Sequence, residues 1–267
     1  MSEKKMWGLL WIGMILIQFL PMITTKRCPY GVINNLMLAG KILENNFLQY
    51  LTPVYLPFKI IPVVFIVLFI WKRKVTKYYL IYVGSLYLVY VFAQNIGINE
   101  EYGVGFNTPS IVMCIFVGVV WLYEAIHCTE EYVFRKKEWY FYLLLPLCVI
   151  AFWDPPVDHT IMGISMRFTL HNFFFSFAGI AECMMTAIIV TIYLFTHDHY
   201  ENRAFKLSCM VGIFRGVENM GLALLYINSD RGAALAWIIT HMPLLIISFT
   251  GYMLTLKRKK INLKKCS

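Results

Sequence analysis

The chain has 267 residues, of which 59% are hydrophobic and 15% are charged, and its formal net charge is +9. A soluble domain typically carries about 45–50% apolar and about 25% charged residues, so this composition excludes an ordinary soluble globular protein. Apolar runs of roughly 17–25 residues, the length that crosses a bilayer, recur from one end to the other. The sequence therefore predicts a polytopic membrane protein of the all-α class, a bundle of transmembrane helices.

Eight apolar segments are predicted to span the membrane within a single helical domain, residues 1–267, which ends in a basic tail at 257–267. The fifth segment is short and contains Pro146, and a re-entrant hairpin there would leave seven spans and reverse the orientation of the later ones. In chain order the segments lie near 7–23, 53–71, 78–94, 109–126, 139–153, 173–195, 207–227 and 233–256.

Lysine and arginine are distributed unevenly between alternate loops. Basic clusters at 72–77, 135–137 and 257–265 all fall on one side of the membrane if there are eight spans. Short loops rich in these residues stay in the cytoplasm, so both termini are predicted to be cytoplasmic. The same asymmetry accounts for the net charge, so nucleic acid is not expected as a partner. Membrane lipids are, because a basic tail attracts anionic headgroups.

The three C-terminal spans carry ionisable side chains inside apolar sequence, namely Glu182, Arg215 with Glu218, and His241. Such groups are expensive in hydrocarbon and therefore mark candidate functional sites. At a helical rise of about 1.5 Å per residue, the two acids and the histidine lie roughly 12–14 Å from the outer boundary. Two further polar residues, Gln18 and Lys59, are predicted to lie near this layer.

Arg215, Glu218 and Asn219 share one helical face because they are spaced i, i+3 and i+4. One arginine can pair with a carboxylate through two hydrogen bonds, which leaves a surplus acid near His241. General acid–base chemistry or proton coupling requires such an acid. We therefore predict that Glu182, Glu218 and His241 are catalytic and that Arg215 and Asn219 bind substrate. A structural ion pair, with His241 in a helix–helix hydrogen bond, is the alternative.

Four further residues are candidate substrate ligands: Gln18 in the first span, and Asp154, Asp158 and His159 in the polar outer loop at 154–172. These loop residues could bind a headgroup or line the mouth of the buried site, although a solvated connector is the alternative. The histidines show no HxxH or HxxxH spacing, and we expect neither a metal nor a cofactor.

Three functions remain open. The first is a membrane-embedded enzyme that isomerises, cyclises or hydrolyses a lipid, isoprenoid or sterol-like molecule by acid–base chemistry; a GxSxG motif for serine chemistry does not occur. The second is a proton-coupled transporter or channel that uses the same acids, although no internal repeat is visible. The third is a sensor or accessory subunit whose ion pairs only fix packing. The sequence does not define the oligomeric state.

The last four residues, Lys264–Lys265–Cys266–Ser267, resemble the dilysine retrieval signal of endoplasmic-reticulum membrane proteins. The predicted orientation places this tail on the cytoplasmic side, as that signal requires. The expected location is the endoplasmic reticulum if the signal is used and the plasma membrane otherwise.

Overall fold

The computed structural model describes residues 3–26, 38–42, 45–154, 157–160, 163–197, 202–227 and 231–265. These residues are mostly helical, which confirms the all-α class. Besides a helical turn at 38–42, we number the α-helices α1 to α9 in chain order: Glu3–Ile17, Tyr55–Ile70, Thr76–Ala93, Thr108–His127, Leu144–Trp153, Leu170–Phe175, Glu182–Thr196, Arg203–Tyr226 and Arg231–Lys265. Short 3₁₀ helices precede α2, α5 and α7, at Phe47–Val54, Trp139–Leu143 and Phe177–Ile180.

Polar caps mark where several helices begin. The Asn107 side chain accepts a hydrogen bond from the amide of Ser110, and Pro109 occupies the first turn of α4. The Asn202 side chain caps α8 in the same way, through the amide of Phe205. Asparagine is favoured at this position because its side chain satisfies an amide that has no partner within the helix, and proline is favoured in the first turn.

Three helical stretches in the described residues are long and apolar enough to cross a membrane: Thr108–His127, Arg203–Leu224 and Trp237–Leu256. A bent pair of helices, Leu170–Ile180 with Glu182–Thr196, makes a fourth if it forms one span. Other apolar helices are shorter, at Lys5–Ile17, Tyr55–Ile70 and Trp139–Trp153. The eight crossings and the cytoplasmic termini therefore stay predictions.

The segment at 173–195 is broken rather than continuous. The chain bends by 91° between Ile180 and Glu182, and Glu182 is the first residue of α7. The depth predicted for Glu182 assumes a continuous helical rise through this segment, and the structure does not show that continuous helix.

Helix α2 holds the break in place. The Lys59 ammonium, buried in α2, donates to the carbonyl oxygens of Asn172 and Phe173 at 3.0 and 2.8 Å. It thereby satisfies two carbonyls of the short helix α6. A Cβ atom at Gly179 would lie 2.8 Å from the Lys59 amide nitrogen, so only glycine allows this approach. Contacts with a distant helix therefore stabilise a bend that has no proline.

Helix α7 lies at the centre of the packing. All of its residues, from Glu182 to Thr196, are buried, and it contacts α3, α5, α8 and α9. A helix that is apolar on every face is expected at such a position. Helices α8 and α9 pack closely where Gly212 meets Ser248 and Gly216 meets Leu245. Small residues allow this approach of two helical backbones.

Two small sheets, which the sequence analysis does not predict, lie in the loops. Strands β2, Ile96–Asn99, and β3, Gly103–Phe106, form an antiparallel hairpin, and β1, Ile23–Thr24, pairs with the other edge of β3. Strands β4, Val157–Thr160, and β5, Gly163–Met166, form a second hairpin. The first sheet joins the chain that follows α1 to the connection between α3 and α4.

The loops predicted to be cytoplasmic also meet one another. The Thr76 hydroxyl donates to Glu131 at 2.8 Å, which joins the α2–α3 loop to the segment after α4. The Arg135 amide donates to the Phe195 carbonyl at the end of α7. Lys137 donates to the His197 carbonyl. Loops that the sequence assigns to one side of the membrane therefore lie together.

Candidate functional site

Arg215 lies between two carboxylates. Its Nη1 atom is 2.5 Å from Oε2 of Glu218, one turn further along α8, and its Nε atom is 3.4 Å from Oε1 of Glu182 at the start of α7. The Arg215 and Glu182 side chains are 7% and 3% exposed, whereas the Glu218 side chain is 24% exposed. The predicted i, i+3 pair is therefore present, and the arginine also joins two helices.

The charges of this cluster do not balance. Two carboxylates face one guanidinium, so the cluster carries an excess negative charge when both acids are ionised. Paired charges in a poorly solvated place depend strongly on each other, and a proton or a ligand with donor groups would stabilise the surplus carboxylate. Glu218 is the more accessible of the two acids and is therefore better placed to exchange a proton.

A hydrogen-bonded chain connects the cluster to α9. Asn219 donates from Nδ2 to the Arg215 carbonyl at 2.8 Å, and its Oδ1 accepts from the Trp237 indole at 3.3 Å. The His241 ring stacks on Trp237, with centroids 5.4 Å apart, and its Nδ1 lies 2.9 Å from the Trp237 carbonyl oxygen. The described contacts therefore connect His241 to the Arg215 backbone through Trp237 and Asn219, and they include none between His241 and the two carboxylates.

Helices α3 and α4 supply a part of the site that the sequence analysis missed. Gln94, which follows α3, accepts the Glu182 amide through Oε1 at 2.8 Å. Tyr90 of α3 and Cys114 of α4 are close enough to Glu182 to interact with it electrostatically. The only signal in the sequence is an amide residue, Gln94, at the end of an apolar segment.

Gln18 and Lys59 belong to other contacts. Gln18 donates to the Met113 sulfur at 3.5 Å. The Lys59 ammonium lies at the break before α7, with the rings of Phe152 and Phe173 at 5.1 and 5.9 Å. The structure therefore brings Glu182, Arg215, Glu218 and Asn219 together, whereas the described contacts of Gln18 and Lys59 are with other residues.

The outer loop contacts α9, the helix that carries His241, through β4 and β5. Asp154 terminates α5 in a left-handed conformation, with φ 52°. Burial raises the pKa of its carboxyl to about 6, and the nearby Lys59 ammonium opposes this shift. Asp158 and His159 lie on β4, where their backbones pair with Ser165 and Ile164; their side chains are outside the described part of the chain.

In the described residues, no three His, Cys, Asp or Glu side chains form a group that could hold a metal ion. Comparison of the chain with protein-family models, curated proteins and solved structures finds no match. The geometry of the cluster around Arg215 is therefore the basis for a functional proposal.

Proposed function

We propose that the chain is a membrane-embedded enzyme that carries out acid–base chemistry on a hydrophobic substrate, a lipid, isoprenoid or sterol-like molecule. The observation that carries this proposal is the sharing of one buried arginine by two glutamates of unequal exposure. Glu182 is fixed from two sides, by Arg215 at its carboxylate and by Gln94 at its amide. Glu218 is held on one side and is partly exposed on the other.

In this proposal Glu218 takes a proton from the substrate and returns one to it. Arg215 holds the carboxylate ready to accept that proton, while Glu182 keeps the guanidinium in position. Positioned acid–base groups of this kind contribute about 10²–10⁴-fold to a rate. The reactions that need only this are double-bond isomerisation and cyclisation, and hydrolysis if water enters. His241 acts on the cluster through Trp237.

The surroundings of Glu218 favour an apolar substrate. Its neighbour Val217 is 58% exposed, and Leu224, two turns along α8, is 59% exposed. Gly221 belongs to the same outward face, with open space around it. If α8 spans the membrane, this face contacts lipid, and a substrate dissolved in the bilayer can reach Glu218 laterally.

The test is lipid mass spectrometry on membranes that contain the wild-type chain, Glu218→Gln, Glu124→Gln or none of these. Glu124 is the matched control because it bonds Asn202 near the other end of α8. We expect a lipid product that forms with the wild type and with Glu124→Gln and that falls by at least about 100-fold with Glu218→Gln. Equal lipid profiles with and without the wild-type chain, or a product that Glu218→Gln still forms, would overturn the proposal.

A proton-coupled transporter is the second candidate, and the break before α7 favours it. Transporters commonly build their sites where membrane helices are interrupted, and Glu182 stands at such an interruption. Sealed vesicles with a pH-sensitive dye inside separate the two functions. A transporter moves protons with its substrate and changes no covalent bond, whereas the enzyme converts its substrate in detergent without a gradient.

A further inference from the structure

Five polar side-chain atoms of the described residues are buried without a hydrogen-bond partner. Three of them are Oη of Tyr90, Oγ of Ser110 and Nη2 of Arg215. Leaving such an atom unpaired costs about 1–3 kcal/mol, and the large majority of buried polar side-chain atoms in known proteins have a partner. Unpaired polar atoms on neighbouring helices indicate a place that another group can complete.

The three atoms belong to helices that meet at Glu182. Tyr90 is one turn before Gln94, which binds the Glu182 amide. Ser110 is one turn before Cys114, which interacts electrostatically with both Glu182 and Arg215. Arg215 binds Glu182 directly. The three atoms therefore come from α3, α4 and α8, the helices whose residues interact with Glu182 at the start of α7.

The donors and charges of this region select the chemistry of its occupant. Arg215 Nη2 can only donate, and the hydroxyl groups of Tyr90 and Ser110 can donate or accept. The region therefore fits a hydrogen-bond acceptor. An anionic acceptor such as a phosphate would be repelled by the excess negative charge of Glu182 and Glu218. An uncharged oxygen would not be repelled.

We propose that Tyr90 and Arg215 bind an uncharged oxygen, a hydroxyl or a carbonyl, of an otherwise apolar ligand. This inference rests on the proposed function, because the oxygen is the polar end of the substrate on which Glu218 acts. Tyr90 and Arg215 Nη2 donate to the oxygen, and Ser110 completes the region from α4. Such an arrangement orients an apolar molecule whose skeleton offers no other polar contact.

The test compares three probes on each of two skeletons, with the purified full-length chain in detergent. The isoprenoid probes are farnesol, farnesene and farnesyl phosphate; the sterol probes are cholestanol, cholestane and cholestanyl sulfate. Apparent affinity is read from the dependence of Tm on probe concentration. Tyr90→Phe removes the donor. Tyr79→Phe is the matched control, because the Tyr79 hydroxyl is also buried without a partner, whereas its ring packs edge-to-face against Phe69 and Phe65.

On at least one skeleton, we expect the uncharged alcohol to bind more tightly than its oxygen-free and anionic counterparts. Tyr90→Phe should lower the affinity for that alcohol by roughly two- to tenfold, which corresponds to one hydrogen bond. Tyr79→Phe should leave this affinity unchanged. Equal binding of the alcohol and the hydrocarbon, tighter binding of the anion, an unchanged affinity in Tyr90→Phe, or no stabilisation by any probe would overturn the inference. The last result would indicate that water alone fills the region.

The oxygen site and the proposed enzyme function can be refuted separately. Glu218→Gln keeps Tyr90 and the Arg215 Nη2 group, so it should still bind the alcohol while it loses turnover. Selective alcohol binding without any lipid conversion would refute the enzyme and leave the oxygen site standing. Lipid conversion together with alcohol binding that does not depend on Tyr90 would refute the oxygen site and leave the enzyme function standing.

Discussion

Arg215 sets the charge of its surroundings, because its guanidinium bonds both glutamates of the cluster. Removing one partner of a buried charge pair is far more damaging than replacing both, since the remaining charge stays desolvated. Glu182 is the more buried of the two acids and depends most on the arginine. Loss of Arg215 should therefore affect Glu182 more than Glu218.

We expect Arg215→Gln to lower the free energy of unfolding by about 3–5 kcal/mol, because two carboxylates then lack their cation. The double variant Arg215→Gln with Glu182→Gln should be more stable than Arg215→Gln alone. Thermal unfolding in detergent measures both. If the loss in the double variant equals the sum of the losses in Arg215→Gln and Glu182→Gln, Arg215 and Glu182 do not stabilise each other and the cluster is not a coupled unit.

Asp154 should make stability depend on pH. Its pKa in the folded chain, about 6, is above its usual value of 3.8, because burial disfavours the carboxylate. The folded state therefore binds this proton more tightly than the unfolded state, and stability falls as the pH rises from about 4 through 6. Asp154→Asn, which suits the left-handed backbone, should become more stable relative to wild type over that interval, as measured by Tm at each pH.

Glu101 provides a comparison, because its effect on the pH dependence of stability has the opposite sign. Hydrogen bonds from Lys41 and Tyr102 lower the pKa of Glu101, so its contribution to stability is lost as the pH falls. Glu101 is exposed, and its effect is therefore small and screened by salt. A difference between Asp154→Asn and wild type that stays constant from pH 4 to 8 would show that Asp154 is not perturbed.

Helix α8 carries Arg215 and Glu218, and helix α9 carries His241, so the separation of these two helices contributes to the geometry of the site. Gly212 lies one turn before Arg215, and a Cβ atom there would lie 2.8 Å from the Ser248 Cβ. Leu245 approaches Gly216 equally closely. The hydrogen bonds that join Arg215, Asn219 and Trp237 cross the interface between α8 and α9 near these contacts. A wider spacing of the two helices would stretch those hydrogen bonds.

Gly212→Ala should therefore destabilise the chain by about 1–3 kcal/mol through overpacking. Gly221→Ala in the same helix is the control, since nothing lies within 4 Å of its Cβ position. Alanine is intrinsically the better helix former, so Gly221→Ala should be neutral or slightly stabilising. Ser248→Ala should partly rescue Gly212→Ala. Equal Tm values for the two alanine variants would contradict the packing described for α8 and α9.

The sequence predicts the helices better than their interruptions. Apolar runs and the i, i+3 spacing of Arg215 and Glu218 are local patterns, and both appear in the structure. The break at Ala181 is not local, because it depends on Lys59 and Gly179 meeting across more than a hundred residues. Gln94 and Tyr90 were missed for the same reason, since only packing brings α3 to the start of α7.

The whole bundle separates its loops into two groups. The sheet of β1, β2 and β3 gathers loops predicted to be outside, and the contacts of Thr76 and Arg135 gather loops predicted to be cytoplasmic. The predicted topology, with both termini in the cytoplasm, places these loops in the same two groups. The number of crossings itself requires a measurement in membranes.

Labelling of introduced cysteines in intact cells provides that measurement. Glu100→Cys lies in the β2–β3 turn and Lys136→Cys lies between α4 and α5, and both positions are exposed. An impermeant maleimide should label Glu100→Cys above the background of the parent chain, and Lys136→Cys only after permeabilisation. The reverse pattern, or labelling of both from one side, would contradict the topology.

The Lys59 contacts also constrain how the chain can be synthesised. The carbonyl of Asn172 that accepts its hydrogen bond is 113 residues further along. At about 5–20 residues per second, ribosomes reach it roughly 6 to 23 s after Lys59 is made. During that interval the Tyr55–Ile70 helix carries an ammonium without these acceptors, and a nascent chain released before residue 172 should fail to insert it stably.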